Sequence, residues 1–220
     1  MVAGHPSSAR IDLAAAAAEL GVDLEPACVR LGELYRWIDE RIAATTAGLE
    51  LPCGVGCADC CHDSVVLLSP LEFFYAWDWA QRTLDDLTRA ALVDRGRAEY
   101  LRLRPQIESL HDAAIAPAVR RRTALGLRFT CPMLDAGGRC LIYPVRSLQS
   151  RLFGQSFNDQ SGIYGCARVG RLLANRTVTL VQASAALHQL QQLPLTFLQQ
   201  VYPFYLNLFY GAGGTPPRST

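Results

Sequence analysis

The chain has 220 residues, of which 50% are hydrophobic and 19% charged, with a net charge of +1. That is enough for one sizeable core, and the balance excludes both a disordered chain and a nucleic-acid binder that relies on a basic field. All 21 Lys+Arg residues are Arg, which excludes a Walker-type phosphate lysine, a Schiff-base lysine and a lysine general base.

In chain order, residues 11–20 read as a short Ala-rich helix. Residues 27–48 give a second, with Leu31, Leu34, Trp37, Ile38 and Ile42 on one face. The N-terminus carries Arg10 and Asp12 beside its alanine run and lacks a basic start followed by a long apolar stretch. No secretory signal is therefore expected, and the expected compartment is the reducing cytoplasm. Pro52 closes the helical region, and Val65 to Leu68 form an apolar run suited to a buried extended segment. Ser69-Pro70-Leu71-Glu72 combines an N-cap, a first-position proline and a capping-box Glu. It predicts a helix carrying Phe73, Phe74, Trp77 and Ala80 to about Leu84.

Asp85 or Asp86 caps the next helix, through Leu87, Ala91 and Arg95 towards Leu103, where Pro105 interrupts it. A further helix with Ile107, Leu110 and Ala114, kinked at Pro117, is expected to end at Arg120-Arg121-Arg122, a solvated run suited to the negative end of the helix dipole. From Leu127 to Tyr143, Pro132, Gly137-Gly138 and the following Pro144 predict a loop or hairpin, with Asp135 supporting the turn. Helix returns from Val169 to about Leu193, with an irregularity near Thr177 to Thr179, and again from Leu195 to Tyr210. That last helix would align Leu195, Leu198, Val201 or Tyr202, Tyr205 and Leu208 or Phe209. Its polar residues and Pro203 fit a core or partner-facing helix rather than a membrane span.

The expected fold is mainly α, a single helical domain with cysteine-bearing loops and a short extended or hairpin segment. Residues 1–52 form an N-terminal helical arm, 53–166 the cysteine core, 167–212 the C-terminal helices and 213–220 a flexible tail. No internal repeat is present.

Eight cysteines are the informative excess, and half of them lie between Cys53 and Cys61. The segment CGVGCADCCH spaces its thiols as Cys-x3-Cys-x2-Cys-Cys, with Gly54 and Gly56 able to turn several sulfurs towards one centre. In a reducing compartment such clustered thiols serve as metal ligands or redox groups, and thiolates suit zinc or the iron of an iron–sulfur cluster. Neighbouring side chains diverge in most backbone conformations, so Cys60 and Cys61 are expected to serve different ions, in a polynuclear site. Cys131, Cys140 and Cys166 complete the candidate set Cys53, Cys57, Cys60, Cys61, Cys131, Cys140 and Cys166, while isolated Cys28 reads as packing. Iron–sulfur is preferred over zinc, because a structural zinc closes with four ligands and leaves about three thiols idle. Two zinc ions, or zinc beside a cluster, stay open.

The segments CGVGCADCCHDSVVLLSPLEFF and CPMLDAGGRCLIYPVRSLQSR resemble the CxxxCxxCC cysteine-cluster family, also called the YkgJ or zinc- and iron-chelating domain family. The resemblance covers residues 53 to 166 and implies Cys53, Cys57, Cys60, Cys61, Cys131 and Cys140 as metal ligands. The family's Arg-Pro-x-x-Cys-Arg ending is altered. Ser147 stands at the usual proline and Ser150 at the usual last cysteine, so either Cys166 replaces that ligand or the second centre differs.

Two rival readings use the same residues. Cys53, Cys57 and Cys60 match the CxxxCxxC spacing of radical S-adenosylmethionine enzymes, but Asp59 stands where those have an aromatic residue and no repeated βα units are seen. Flagellin lysine N-methylases contain a similar cluster and use S-adenosylmethionine, although no Gly-rich turn for that cofactor is evident. An iron-dependent enzyme acting on a protein or small molecule is thus the alternative to a metal-binding accessory or electron-transfer module. His62 is expected to face solvent or sit behind the ligands, Glu72 to cap its helix, and Arg146 and Arg151 to contact cluster sulfurs, an anion or surface carboxylates. His5, His111 and His188 are scattered. No nucleic-acid partner is expected, and the protein or small-molecule partner is not specified by the sequence.

Overall fold

Capping side chains open five of the ten described α-helices. In the computed structural model, which describes residues 7, 9–53, 56–63, 66–110, 112–160, 162–197 and 199–211, Asp12 accepts the Ala15 N–H at 2.9 Å and opens α1 (Leu13–Glu19). Asp23 accepts from the Glu25 N–H and starts α2 (Leu24–Thr46) ahead of the expected residue 27. The buried stripe of α2 is Ala27, Leu31, Tyr35, Ile38 and Ile42. It is rotated from the expected face, for Trp37 is 38% exposed. Tyr35 takes the inward place because its hydroxyl donates to Glu72 Oε1 at 3.0 Å, which removes the penalty of burying a phenol.

A single helical turn, α3 (Asp59–Asp63), precedes α4 (Pro70–Thr83). Both arms of the Ser69–Glu72 capping box are formed. Helix α4 buries Phe73, Phe74, Ala76, Trp77 and Ala80 in the core and turns the Asp78–Arg82 ion pair outward. Asp85 caps α5 (Asp86–Ser109). Pro105 interrupts α5 with a kink, as expected, and the helix continues beyond it. The backbone leaves helical angles at Leu103 (φ −112°, ψ 16°) and then resumes, as expected of a proline that removes a hydrogen bond and crowds the preceding turn.

The helix expected to reach Ala114 stops at Ser109, and Pro117 takes the first turn of a new helix, α6 (Pro117–Gly126), instead of kinking a longer one. Arg120 to Arg122 therefore lie in the middle of α6, and the expected dipole placement at a helix end is not realised. The hairpin is present: Leu134 bridges Cys140, and Asp135 Oδ1 accepts the Gly137 and Arg139 N–H groups at 2.9 and 2.8 Å. A 3-10 turn (Tyr143–Val145) leads into α7 (Leu148–Leu152).

Strand β1 (Ser156–Phe157) pairs in parallel with β2 (Val181–Gln182), Ser156 opposite Val181. The expected Val169–Leu193 helix is two helices, α8 (Ala167–Leu173) and α9 (Ala183–Gln191). Thr177, Val178 and Thr179 between them are β-branched and favour extended chain. The final helix, α10, is likewise shorter than expected, Tyr202–Tyr210. Leu195 has a φ of 54°, and Gln200 exchanges two 2.8 Å backbone hydrogen bonds with Leu68, so Pro203 starts the helix rather than lying inside it. Within the expected extended run, of which residues 66–68 are described, Leu68 is thus the one that pairs. Val65, Leu198, His5, His111, Gly54 and the tail after Gly211 lie outside the described residues.

The chain is one mainly helical domain. Helix α10 lies along α5, where a Cβ on Gly96 would come within 2.3 Å of Leu206 Cδ1. Among the described residues no helix is long and apolar enough to cross a membrane.

Candidate metal centre

Three chain segments bring the clustered thiols together. Cys53 and Cys57 flank a turn in which Gly56 has a φ of 96°, a conformation that a side chain would strain. Cys60 and Cys61 are on α3, not on a loop as expected. The second segment docks on the first through the Cys131 N–H, which donates to the Cys61 carbonyl at 2.7 Å. Cys140 closes the Leu134 bridge, and Cys166 sits just ahead of α8.

All seven candidate cysteines line one cavity of about 70 Å³, together with Asp59, Met133, Ile142, Tyr143, Arg146, Ser150, Phe153, Gln155 and Tyr202. None of the eight cysteines is in a disulfide. The Cys53 and Cys166 sulfurs are 3.9 Å apart, and those of Cys60 and Cys61 are 4.0 Å apart. The adjacent pair therefore converges on one cavity, contrary to the expected divergence. A tetrahedral ion with metal–sulfur bonds near 2.3 Å needs neighbouring sulfurs roughly 3.8 Å apart, so each pair has the spacing of two ligands on one ion. Among the described residues no ready-made group of three His, Cys, Asp or Glu donors surrounds a single point.

The electrostatics follow from crowding. Burial, then the Cys166 thiol, push Cys53 well above the usual thiol range, with Cys57 and Cys60 adding to it. The hydrogen bond with Cys61 is the main cause at Cys60, ahead of burial. At Cys61 it is the hydrogen bond with Cys131, partly opposed by the one with Cys60. Burial raises Cys140. Among these thiols Cys53 feels Cys166, Cys57 and Cys60, and Cys61 feels Cys131, Cys60 and Cys140. Cys60 is felt by Cys53, Cys61 and Cys140 alike. Several thiols share a largely apolar cavity, so ionising them together requires a cation, and soft sulfur donors match zinc or iron.

Glycine makes the closest of these approaches possible. Gly154 has a φ of 75°, and a Cβ there would lie 2.5 Å from Cys53 Sγ and 3.0 Å from Cys166 Cβ. Arg146 brings positive charge to the cavity wall, its guanidinium 3.8 Å above the Tyr143 ring and donating to the Tyr143 carbonyl at 2.8 Å. Burial, then the neighbouring Arg151, lower its pKa. Ser150 lines the same cavity as Cys166.

The remaining candidates lie elsewhere. Arg151 is buried behind the site, salt-bridged to Asp39 and donating to the Arg146 and Pro144 carbonyls. Glu72 is also buried behind it, and besides its capping bonds accepts from Tyr35 and from the Leu148 N–H. His62 is exposed and meets Thr130. Cys28, on α2, borders a different cavity with Tyr75, Asp78 and Arg82. Tyr202 was hidden from sequence reasoning within an overlong helix, and Gly154 carried no signal beyond being a glycine. The described strands are two residues each, and no strand–glycine turn–helix unit for a nucleotide cofactor is found among the described residues. Compared with protein-family models, characterised proteins and solved structures, the chain shows no match.

Proposed function

We propose that this protein is a metal-binding protein whose seven clustered cysteines hold two thiolate-bound ions, iron or zinc, with the Cys60 sulfur shared between them. The observation that carries the reading is the convergence of Cys53, Cys57, Cys60, Cys61, Cys131, Cys140 and Cys166 on one cavity. One tetrahedral ion takes four sulfurs, and two such sites sharing a corner take seven. The 3.9 and 4.0 Å sulfur pairs favour two ligands per ion over a cubane cluster, in which each iron binds one cysteine. The cysteine spacings and the Cys-Pro-Met-Leu and Cys-Leu-Ile-Tyr segments that resemble the CxxxCxxCC family agree with this assignment.

Full thiolate ligation leaves no open position for substrate, which supports a structural, accessory or electron-transfer role over Lewis-acid catalysis. Arg146 supplies positive charge against an anionic thiolate group. Free thiols suit a reducing compartment, the cytoplasm. The test is anaerobic purification with metal and acid-labile sulfide analysis. About two equivalents of zinc or iron without labile sulfide support the reading. Iron with matching labile sulfide replaces the two ions by a cluster on the same ligands, and metal-free protein overturns it.

A further inference from the structure

Tyr202 opens α10 with its ring 6.5 Å from Phe73, 7% exposed, on the wall of the cysteine cavity. Its hydroxyl is buried and has no hydrogen-bond partner among the described residues. A phenol buried in that way is costly and uncommon. The same helix satisfies its other phenols: Tyr205 donates to the Leu68 carbonyl at 3.2 Å and Tyr210 to the Ala9 carbonyl at 3.0 Å. Only the phenol beside the thiols is left without an acceptor. Cys61, Cys131 and Cys140 line the same cavity as Tyr202, and Glu72 is the other ionisable group that acts on its phenol. Glu72 is already occupied, its two oxygens accepting from Tyr35, Leu148 and Ser69. A protonated thiol is a poor acceptor, whereas a metal-bound thiolate is a good one, and donors of this kind orient metal ligands.

We propose that Tyr202 is a positioning residue for the metal centre, its O–H donating to the thiolate of Cys131 or Cys140 once an ion is bound. The inference rests on the two-ion reading above. The proton stays on the phenol oxygen throughout. The bond fixes the sulfur's direction and withdraws electron density from it.

Cobalt(II) alone is the probe, added to metal-free wild type, Tyr202→Phe and, as a control, Tyr205→Phe. Wild type and Tyr202→Phe should take up the same number of cobalt ions. In Tyr202→Phe the sulfur-to-cobalt charge-transfer band should move to longer wavelength, and cobalt should be lost to a competing chelator about tenfold more readily. Tyr205→Phe should leave the band in place. Without metal, Tyr202→Phe should melt no lower than wild type, since it loses only an unpartnered hydroxyl. Superimposable bands and equal retention overturn the inference while leaving the two-ion reading standing. A lower melting temperature of metal-free Tyr202→Phe overturns it too, by making the residue a packing element. Wild type that binds no cobalt removes the two-ion reading and this inference with it.

Discussion

The Leu148 N–H donates to Glu72 Oε1 at 2.8 Å, so the carboxylate that closes the capping box of α4 also holds the first turn of α7. Helix α7 lies between the hairpin that carries Cys140 and the Gly154 turn beside Cys53. Glu72→Ala would leave the Leu148 N–H, the Ser69 N–H and the Tyr35 hydroxyl without their acceptor. We expect a loss of about 3 kcal/mol or more, read from the urea midpoint.

The same carboxyl gives a pH signature. Burial holds Glu72 above the usual 4.5, against the pull of its hydrogen bonds from Ser69, Leu148 and Tyr35. The folded chain thus keeps this proton to higher pH than the unfolded chain does. Its contribution is complete below the unfolded value and is lost as pH rises through the folded one. Glu72→Gln has no proton to release. Wild-type stability relative to Glu72→Gln should therefore decline as pH rises above 4.5. Denaturation midpoints that stay parallel across that range would refute the assignment.

A shared sulfur and an unshared one should behave differently. Cys60→Ser removes the sulfur that the two-ion reading shares between both ions and should reduce the metal content to below about one equivalent per chain. Cys61→Ser and Cys140→Ser each take a ligand from one ion and should remove about one equivalent. Elemental analysis of anaerobically purified variants gives the comparison, and equal losses in all three would rule out Cys60 as the bridge.

Gly154→Ala tests how closely the thiols must approach. Left-handed backbone costs an alanine about 1–2 kcal/mol, and the new methyl would collide with Cys53 Sγ, 2.5 Å away. Lower stability together with reduced metal content is expected. Normal loading would show that the Cys53–Cys166 pairing is dispensable.

Cys28 is the internal control. Burial, then Asp78, raise its pKa from 9.0 to about 11, with Arg82 opposing. Cys28→Ser should leave the metal content unchanged. Alkylation of Cys28, followed by mass spectrometry, should reach half its limiting rate near pH 11, and Asp78→Asn should lower that pH.

What the sequence made legible was local. Ser69 with Glu72, Asp85, and the Asp135 turn each act within four residues, and all three form as read. The thiol spacing between Cys53 and Cys61 is equally local, and those cysteines do face one cavity. What stayed hidden depends on partners far along the chain. Tyr35 displaces Trp37 from the buried face of α2 because Glu72 receives its hydroxyl. The overlong C-terminal helix fails because Gln200 pairs with Leu68, 132 positions away in sequence, a contact that periodicity cannot register. Cys166 is a similar case. Nothing near it in sequence says that Cys53 is its neighbour; the Gly154 turn brings them together.

The 3.9 Å contact between Cys53 and Cys166 has a bearing on biosynthesis, because 113 residues separate the two. A ribosome that has just released the early quartet of thiols must still add the hairpin and the Gly154 turn before the last of the seven exists. On the two-ion reading proposed above, the ion that takes Cys53 and Cys166 as ligands cannot have its full set of sulfurs until translation passes residue 166.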